Sequence, residues 1–261
     1  MVPHSEAERP HDLELAAGLI AAARRGLALT GAGVSQESGI PTFRGPDGLW
    51  RRYDPVKVSS LEYFMQDPAA YWSVARERGQ LVLQALPNAG HYALAALEEA
   101  GHLAAVATQN TDGLHLDAGS RRVIELHGSG RTVRCLDCGA RETRAAVHAR
   151  LAAEMPPRCL ACGGGHLKPT TILFGEPMPA AATAEAFELA QAADLMLVAG
   201  TSLAVYPAAQ LPLVALEAGA PLVIVNAEPT PFDRFAAVVL HGRSGEILPQ
   251  LVERVVPAGR G

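Results

Sequence analysis

Gly31-Ala32-Gly33-Val34-Ser35-Gln36-Glu37-Ser38-Gly39-Ile40-Pro41-Thr42-Phe43-Arg44-Gly45 is the stretch on which the reading of this chain turns. It follows a short apolar run, residues 27–30, that reads as a buried strand. Two glycines one residue apart straight after a strand allow a tight turn and bring backbone N–H groups close to a pyrophosphate. The full dinucleotide fingerprint wants a third glycine where this chain has Gln36. On these residues alone, an ordinary glycine-rich strand-to-helix turn stays an open alternative. Pro41 stops a simple continuing helix. The chain therefore loops out, carrying the aromatic face of Phe43 beside the fixed cation of Arg44, a combination that suits a ligand with a flat ring and a phosphate.

Composition bounds the rest. At 261 residues and 49% hydrophobic, the chain can build one large domain, or a domain with a smaller lobe, around a sizeable core. No apolar run approaches the ~20 residues of a membrane span. Residues 1–10 carry charges and no apolar stretch, so no signal peptide is expected. A net charge of −5 offers no general basic surface for nucleic acid. Arg131, Arg134, Arg141 and Arg144 are the local exception, diluted by Asp137, Glu142 and Glu154. The four cysteines fall as two C-x-x-C pairs, Cys135/Cys138 and Cys159/Cys162. Without an export signal, this pattern favours a closed tetrahedral zinc site over disulfides, and a cytoplasmic protein.

Element signals follow in order. Asp12 reads as an N-cap, with Leu13, Ala16, Ala17, Ile20 and Ala23 at helical spacing and Gly26 closing the helix. An aromatic-rich insertion of short helices follows the signature loop, with Asp67-Pro68 as an N-cap and first-turn proline. A helix over 89–100 leads into a buried strand, 103–108, at whose end sit Gln109, Asn110, Thr111 and Asp112. Polar groups just past the carboxyl end of a core strand are where an open α/β sheet binds ligands; a loop with a capping aspartate is the plainer alternative. A strand over 123–126 ends at His127, and Thr171 is expected to return the chain to the sheet. A helix over 179–193, a strand over 195–199 and the turn Gly200-Thr201-Ser202 come next. Pro212 is expected to kink a helix; a strand over 222–225 ends at Asn226-Ala227-Glu228, and Ser244 and Gly245 open the last helix.

Taken together, G-A-G-V-S-Q-E-S-G-I-P-T-F-R-G, T-Q-N-T-D-G-L-H, L-H-G, the paired C-x-x-C motifs, T-I-L-F-G-E, G-T-S and N-A-E resemble the sirtuins of bacterial or archaeal type. Sirtuins are NAD-dependent protein lysine deacylases, and the resemblance runs from about residue 27 to 248. It implies an α/β fold: a Rossmann-like parallel sheet with helices on both faces, plus a small zinc-binding and helical lobe. The NAD-binding domain would comprise 11–45, 87–127 and 171–256, and the small lobe 46–86 and 128–170. The resemblance implies NAD contacts from Gly31, Ala32, Gly33, Ser35, Gln36, Phe43 and Arg44. Asn110 and Asp112 would hold the nicotinamide ribose and carboxamide, with Gln109 on the ribose and Thr111 where the family usually has an aliphatic residue. Gly200, Thr201, Ser202, Asn226, Ala227 and Glu228 would reach the phosphates and the adenine-side ribose, and Ser244 the adenine.

By the same resemblance His127 is the general base, working with Asn110. Phe174, Gly175, Glu176 and Val205 would line the acyl-lysine site. Cys135, Cys138, Cys159 and Cys162 would hold one structural Zn2+. The implied partner is an acylated lysine in a protein, with no membrane or nucleic-acid role. NAD-dependent protein ADP-ribosylation is the alternative activity. Sirtuins that remove succinyl or malonyl groups carry Tyr-x-x-Arg where this chain has Ser73-Val74-Ala75-Arg76, so neutral acyl groups are expected.

Overall fold

Five consecutive buried residues, Gly26–Thr30, form a strand with no solvent face, and such a strand is stable only between two covering layers. The computed structural model describes residues 9–42, 54 and 59–256. In chain order the elements are α1 (Arg9–Ala22), β1 (Gly26–Thr30), α2 (Leu61–Gln66), α3 (Pro68–Gln84), α4 (Ala89–Glu99), β2 (Leu103–Thr108), α5 (Leu114–Asp117), β3 (Val123–Glu125), β4 (Thr132–Cys135), β5 (Arg141–Thr143), α6 (Arg144–Arg150), β6 (Leu167–Pro169), α7 (Ala180–Ala192), β7 (Leu195–Ala199), α8 (Leu211–Glu217), β8 (Leu222–Asn226), β9 (Val238–His241) and α9 (Ser244–Val255).

Six strands pair in the order β3-β2-β1-β7-β8-β9, every neighbouring pair parallel. The order runs outward in one direction from β1 and in the other from β7. The crevice between those two strands is therefore the switch point at which open α/β sheets bind ligands. One face of the sheet packs on α1, α4 and α9 through Ile20, Leu94, Leu97 and Leu248. The other packs on α7 and α8 through Ala186, Ala190, Leu211 and Ala215.

Several boundaries differ from the sequence reading. Helix α1 starts at Arg9 and holds Asp12 inside its first turn. Gly26 does not close that helix; it opens β1, where a Cβ would lie 2.5 Å from His102 O. Pro212 sits in the first turn of α8 and starts the helix without kinking it, since proline suits a position whose N–H has no intrahelical acceptor. The segment after Thr171 is not a strand of the large sheet. It is held by Ile172 N–H on His127 O (2.9 Å) and by a bridge between Ser60 and Phe174, and Lys168 Nζ donates to Thr171 O (2.6 Å) and Glu176 (2.9 Å). Strand β9, only four residues long, gave no expectation in sequence.

A second sheet, β5-β4-β6, is antiparallel. It shares an apolar core with α2 and α3, in which Phe64 and Trp72 pack with Val133, Val147, Leu151 and Leu167. The Trp72 indole N–H, which needs a partner when buried, donates to Leu167 O at 2.8 Å. The four cysteine sulfurs all lie within 4.8 Å of one another. Cys135–Cys162 and Cys138–Cys159 are each 3.7 Å apart. Tetrahedral thiolates around zinc at ~2.3 Å stand about 3.8 Å apart, whereas a disulfide needs ~2.05 Å. The donor set thus fits a closed, structural zinc. We expect elemental analysis to find about one zinc per chain, and Cys135→Ser to lose the metal and melt the small sheet first, because metal binding is folding energy here. A Cys135→Ser protein with full zinc and unchanged melting would refute the assignment.

Candidate active site

The two glycine turns meet back to back. Gly33 N–H donates to Gly200 O at 2.8 Å and Gly31 N–H to Ala199 O at 3.2 Å. A Cβ on Gly33 would lie 2.8 Å from the Gly200 backbone, and one on Gly31 2.7 Å from Thr201. Gly200 itself has φ +60. The glycines are needed for this backbone contact. The amides of Val34, Ser35 and Gln36 turn back onto Gly31, Ala32 and Gly33 carbonyls. This turn is therefore not an open row of amides: among its described N–H groups from 31 to 36, Ala32 alone has no acceptor in the chain.

Ser35 is the hub of a buried polar network. Its Oγ donates to Asp112 Oδ2 at 2.7 Å and accepts from Asn110 Nδ2 at 3.0 Å. Asn110 Nδ2 also donates to Gly31 O (3.0 Å), and its backbone N–H donates to Thr108 Oγ1 (3.0 Å). Asp112 Oδ1 accepts from Leu114 N–H at 2.9 Å. Each carboxylate oxygen of Asp112 accepts one of these bonds and both amide protons of Asn110 are used, so further acceptor capacity remains on Asn110 Oδ1 and on the Asp112 carboxylate.

Beneath them lie two histidines that the motif reading did not single out. His91 Nδ1 accepts from Asn88 N–H (3.3 Å), completing the capping box of α4. A neutral ring then carries its proton on Nε2, facing Ser35 Oγ at 3.4 Å. His115 Nε2 meets Thr30 Oγ1 at 2.9 Å, and its Nδ1 is buried without a partner. The two rings are 4.8 Å apart. Burial pushes the His91 pKa down from 6.5 to about 4, against the attraction of Asp112. Burial, with some repulsion from His91, pushes His115 to about 3. The sequence signal was available, since His91 is the third residue of a helix capped by Asn88 and His115 follows Asp112 by three.

His127 follows β3. Its Nδ1 lies 3.1 Å from Gln109 O. A carbonyl only accepts, so Nδ1 holds the proton and Nε2 is left as the acceptor. Burial lowers the His127 pKa below 6.5, partly offset by that backbone bond. Gln109 Nε2 in turn donates to Thr201 Oγ1 at 3.0 Å, so the ends of β2, β3 and β7 are joined across the switch point. On the adenine-side candidates, Asn226 Nδ2 donates to Glu228 O at 2.6 Å. Ala227, Glu228, Gln36 and Ser202 are exposed. Ser244 is buried with its Oγ unpartnered. Thr111 is half-buried, and its carbonyl accepts from Gly130 N–H at 2.7 Å. Phe43 and Arg44 lie outside the described residues.

In the segment 172–176 the amides of Ile172, Leu173, Phe174 and Glu176 donate to His127 O, Glu176 Oε2, Ser59 O and Leu173 O. Gly175, at φ +92, keeps a free N–H beside the exposed Phe174 ring. Val205 is half-buried in the loop after β7.

The two buried histidines make a prediction. Their native pKa values lie below the unfolded 6.5. The unfolded chain therefore binds more protons, and stability falls as pH drops from 6.5 toward 4. The loss approaches about 1.4 kcal/mol per pH unit for each ring. Urea unfolding across pH 7.5 to 5 should show this slope, and ring resonances of His91 and His115 should not titrate in that window. Titration of both rings near 6.5 would contradict the buried neutral pair.

The Sir2 family model matches residues 31–207, from the first glycine turn to just past the second. The chain is 48% identical over 239 residues to NAD-dependent protein deacylase 2 of Pyrobaculum aerophilum, with 92% of this chain and 94% of that relative covered. It is 47% identical over 244 residues to NAD-dependent protein deacylase 2 of Archaeoglobus fulgidus, with 94% and 96% covered. A solved complex of Sir2 with a p53 peptide and NAD+ superposes with a TM-score of 0.86 at 40% identity, covering 92% of this chain and 97% of that one. Shared sequence along the whole sheet and a shared fold agree, and the chain belongs to the Sir2 family, the sirtuins.

Proposed function

We propose that this chain is an NAD-dependent protein lysine deacylase that acts in the cytoplasm on acylated lysines of other proteins. The observation that carries the reading is His127. Its Nδ1–H is tied to Gln109 O, so a neutral imidazole with a free Nε2 stands at the carboxyl edge of the sheet, one strand from Asn110. The names of the relatives, deacylases in both cases, favour acyl removal over ADP-ribosylation.

In this reading NAD supplies the ADP-ribose acceptor, its nicotinamide leaves and one water is consumed, so the products are free lysine, nicotinamide and O-acyl-ADP-ribose. We assign the nicotinamide end to Asn110 and Asp112, with Gln109 and Thr111 beside them. Gly31, Ala32, Gly33, Ser35 and Gln36 border the pyrophosphate, where the free Ala32 N–H is one donor. Gly200, Thr201, Ser202, Asn226, Ala227, Glu228 and Ser244 take the adenosine end, the unpartnered Ser244 Oγ being a buried group in need of a ligand. Phe43 and Arg44 keep the places given them by the family motif. Residues 11–45, 87–127 and 171–256 form the NAD-binding domain, and 46–86 with 128–170 the small lobe. The acylated lysine enters beside Phe174, Gly175, Glu176 and Val205. Gly175 N–H, the one uncommitted amide of that segment, would pair with the substrate backbone, a form of strand addition.

His127 Nε2 accepts the proton of a ribose hydroxyl. A base acts while unprotonated, so a pKa held below 6.5 by burial keeps it competent at neutral pH. The kcat/KM profile should be flat from pH 7 to 8, with an acid limb centred below 6.5. His127→Ala should fold and bind NAD normally in calorimetry while losing ~10²–10⁴ in deacylation rate. A folded, NAD-binding variant with near wild-type rate would remove His127 from the mechanism. Mass spectrometry of an acetyl-lysine peptide with and without NAD tests the function itself: deacylation loses an acyl mass, whereas ADP-ribosylation adds one.

Acyl preference follows from the insertion. Ser73 Oγ donates back to Ala69 O of its own helix at 2.8 Å, and both Ser73 and Arg76 are exposed. No tyrosine stands three residues before an arginine in this chain. Acetyl peptides should be turned over faster than matched succinyl peptides, and the reverse order would overturn this part of the reading.

A further inference from the structure

Arg131 lies four residues beyond His127, on the segment that enters the cysteine-bearing sheet at β4. Its side chain does not point to the zinc knuckles. Nε donates to the backbone carbonyl of Asp112 at 2.8 Å. Nη1 donates to Asp117 Oδ1 at 2.8 Å, and Nη2 pairs with Asp117 Oδ2. The adjoining peptide adds a third link, since Gly130 N–H donates to Thr111 O at 2.7 Å. The fit is close. Gly113, at φ +76, has no room for a side chain, because a Cβ there would lie 2.3 Å from Arg131 Nε. Gly130 is pressed in the same way against Thr111 O.

Asp112 is thus held on two sides. Its carboxylate is fixed by Ser35 and Leu114 N–H, and its carbonyl by the arginine just before β4. We propose that Arg131 is a positioning residue for the Asn110–Asp112 loop, tying that loop to the entry strand of the small lobe so that peptide engagement and NAD binding are coupled. The inference rests on the reading above that this loop faces the nicotinamide end of NAD.

A guanidinium offers five N–H donors in one rigid plane, and here the Nε edge and the Nη fork serve different partners at once. A lysine would keep the attraction to Asp117 but cannot also hold the Asp112 carbonyl in a fixed plane. Any shift of β4 relative to the six-stranded sheet must move Arg131, and with it the Asp112 peptide. A ligand that orders one side then favours the other, equally in both directions.

The test uses full-length Arg131→Ala, Arg131→Lys and Asp117→Asn proteins, with an acetyl-lysine peptide and NAD. Arg131→Ala and Arg131→Lys should raise the KM for NAD roughly 5- to 150-fold, the span of typical site-to-site coupling. Their kcat at saturating NAD should stay within about threefold, because His127 and its Gln109 contact are untouched. Asp117→Asn, which keeps Nε on Asp112, should show a smaller KM rise than either. In wild type, bound peptide should tighten NAD binding in calorimetry, and Arg131→Lys should abolish that gain. Folded Arg131 variants with wild-type KM for NAD and intact peptide coupling would overturn the proposal. So would a lowered melting temperature as the only change, which would make Arg131 a purely structural tie. Should Arg131→Ala fail to fold, the Arg131→Lys and Asp117→Asn measurements decide alone. A wild-type protein that neither binds NAD nor deacylates would overturn the functional reading; an active wild type with indifferent variants overturns only this inference.

Discussion

The contact between the two glycine turns is the constraint on which the rest of the molecule depends. With Gly33 N–H on Gly200 O at 2.8 Å, the ends of the adjacent strands β1 and β7 touch through backbone alone. No side chain fits between them. The switch point of a parallel sheet is a crevice by topology, but its width is set by what stands at its floor. Here the floor is bare main chain, so the polar residues of the neighbouring strand ends can converge over it.

What converges is a network with nearly every proton assigned. Ser35 uses its one donor on Asp112 and its acceptor sites on Asn110 and His91. A fully satisfied buried network rigidifies, whereas a half-satisfied one is costly. The unpartnered Nδ1 of His115 is the one exception at its base, and it holds only while the ring is neutral. Placement and protonation are thus one problem: burial that orients Asn110 and Asp112 also depresses the histidine pKa values beneath them.

The small sheet is tied to this arrangement from two directions. Its core borrows Phe64 and Trp72 from the helical insertion, so neither the insertion nor the cysteine segment has a complete apolar core by itself. Its entry strand reaches back through Gly130 and Arg131 to the Thr111–Asp112 backbone. His127 stands at the junction: its ring is tied to the six-stranded sheet by Gln109 O, and its carbonyl to the returning segment by Ile172 N–H at 2.9 Å. The proposed base therefore sits where the two halves meet.

The sequence by itself determined the parallel α/β class, the central strands and the metal-ligand spacing, because each rests on local pattern. Apolar runs bounded by glycines locate β1, β2 and β7 to within a residue, and two C-x-x-C pairs name four thiolates that do stand within 4.8 Å. The proposed site residues were named from motifs at strand ends, and His127 was chosen among nine histidines by its strand-end place together with the family motif. Other features were decided only in three dimensions. Four residues of β9 carry too little periodicity to be read, and they form a strand because β8 offers an unpaired edge. The segment after Thr171 looks like a core strand but joins none of the strands of the large sheet and instead bridges Ser60. The inward turn of the glycine amides, the paired neutrality of His91 and His115, and the reach of Arg131 to Asp112 all join residues 19 to more than 160 positions apart. Such contacts leave no periodic trace in a chain; they form only when folding brings distant segments together.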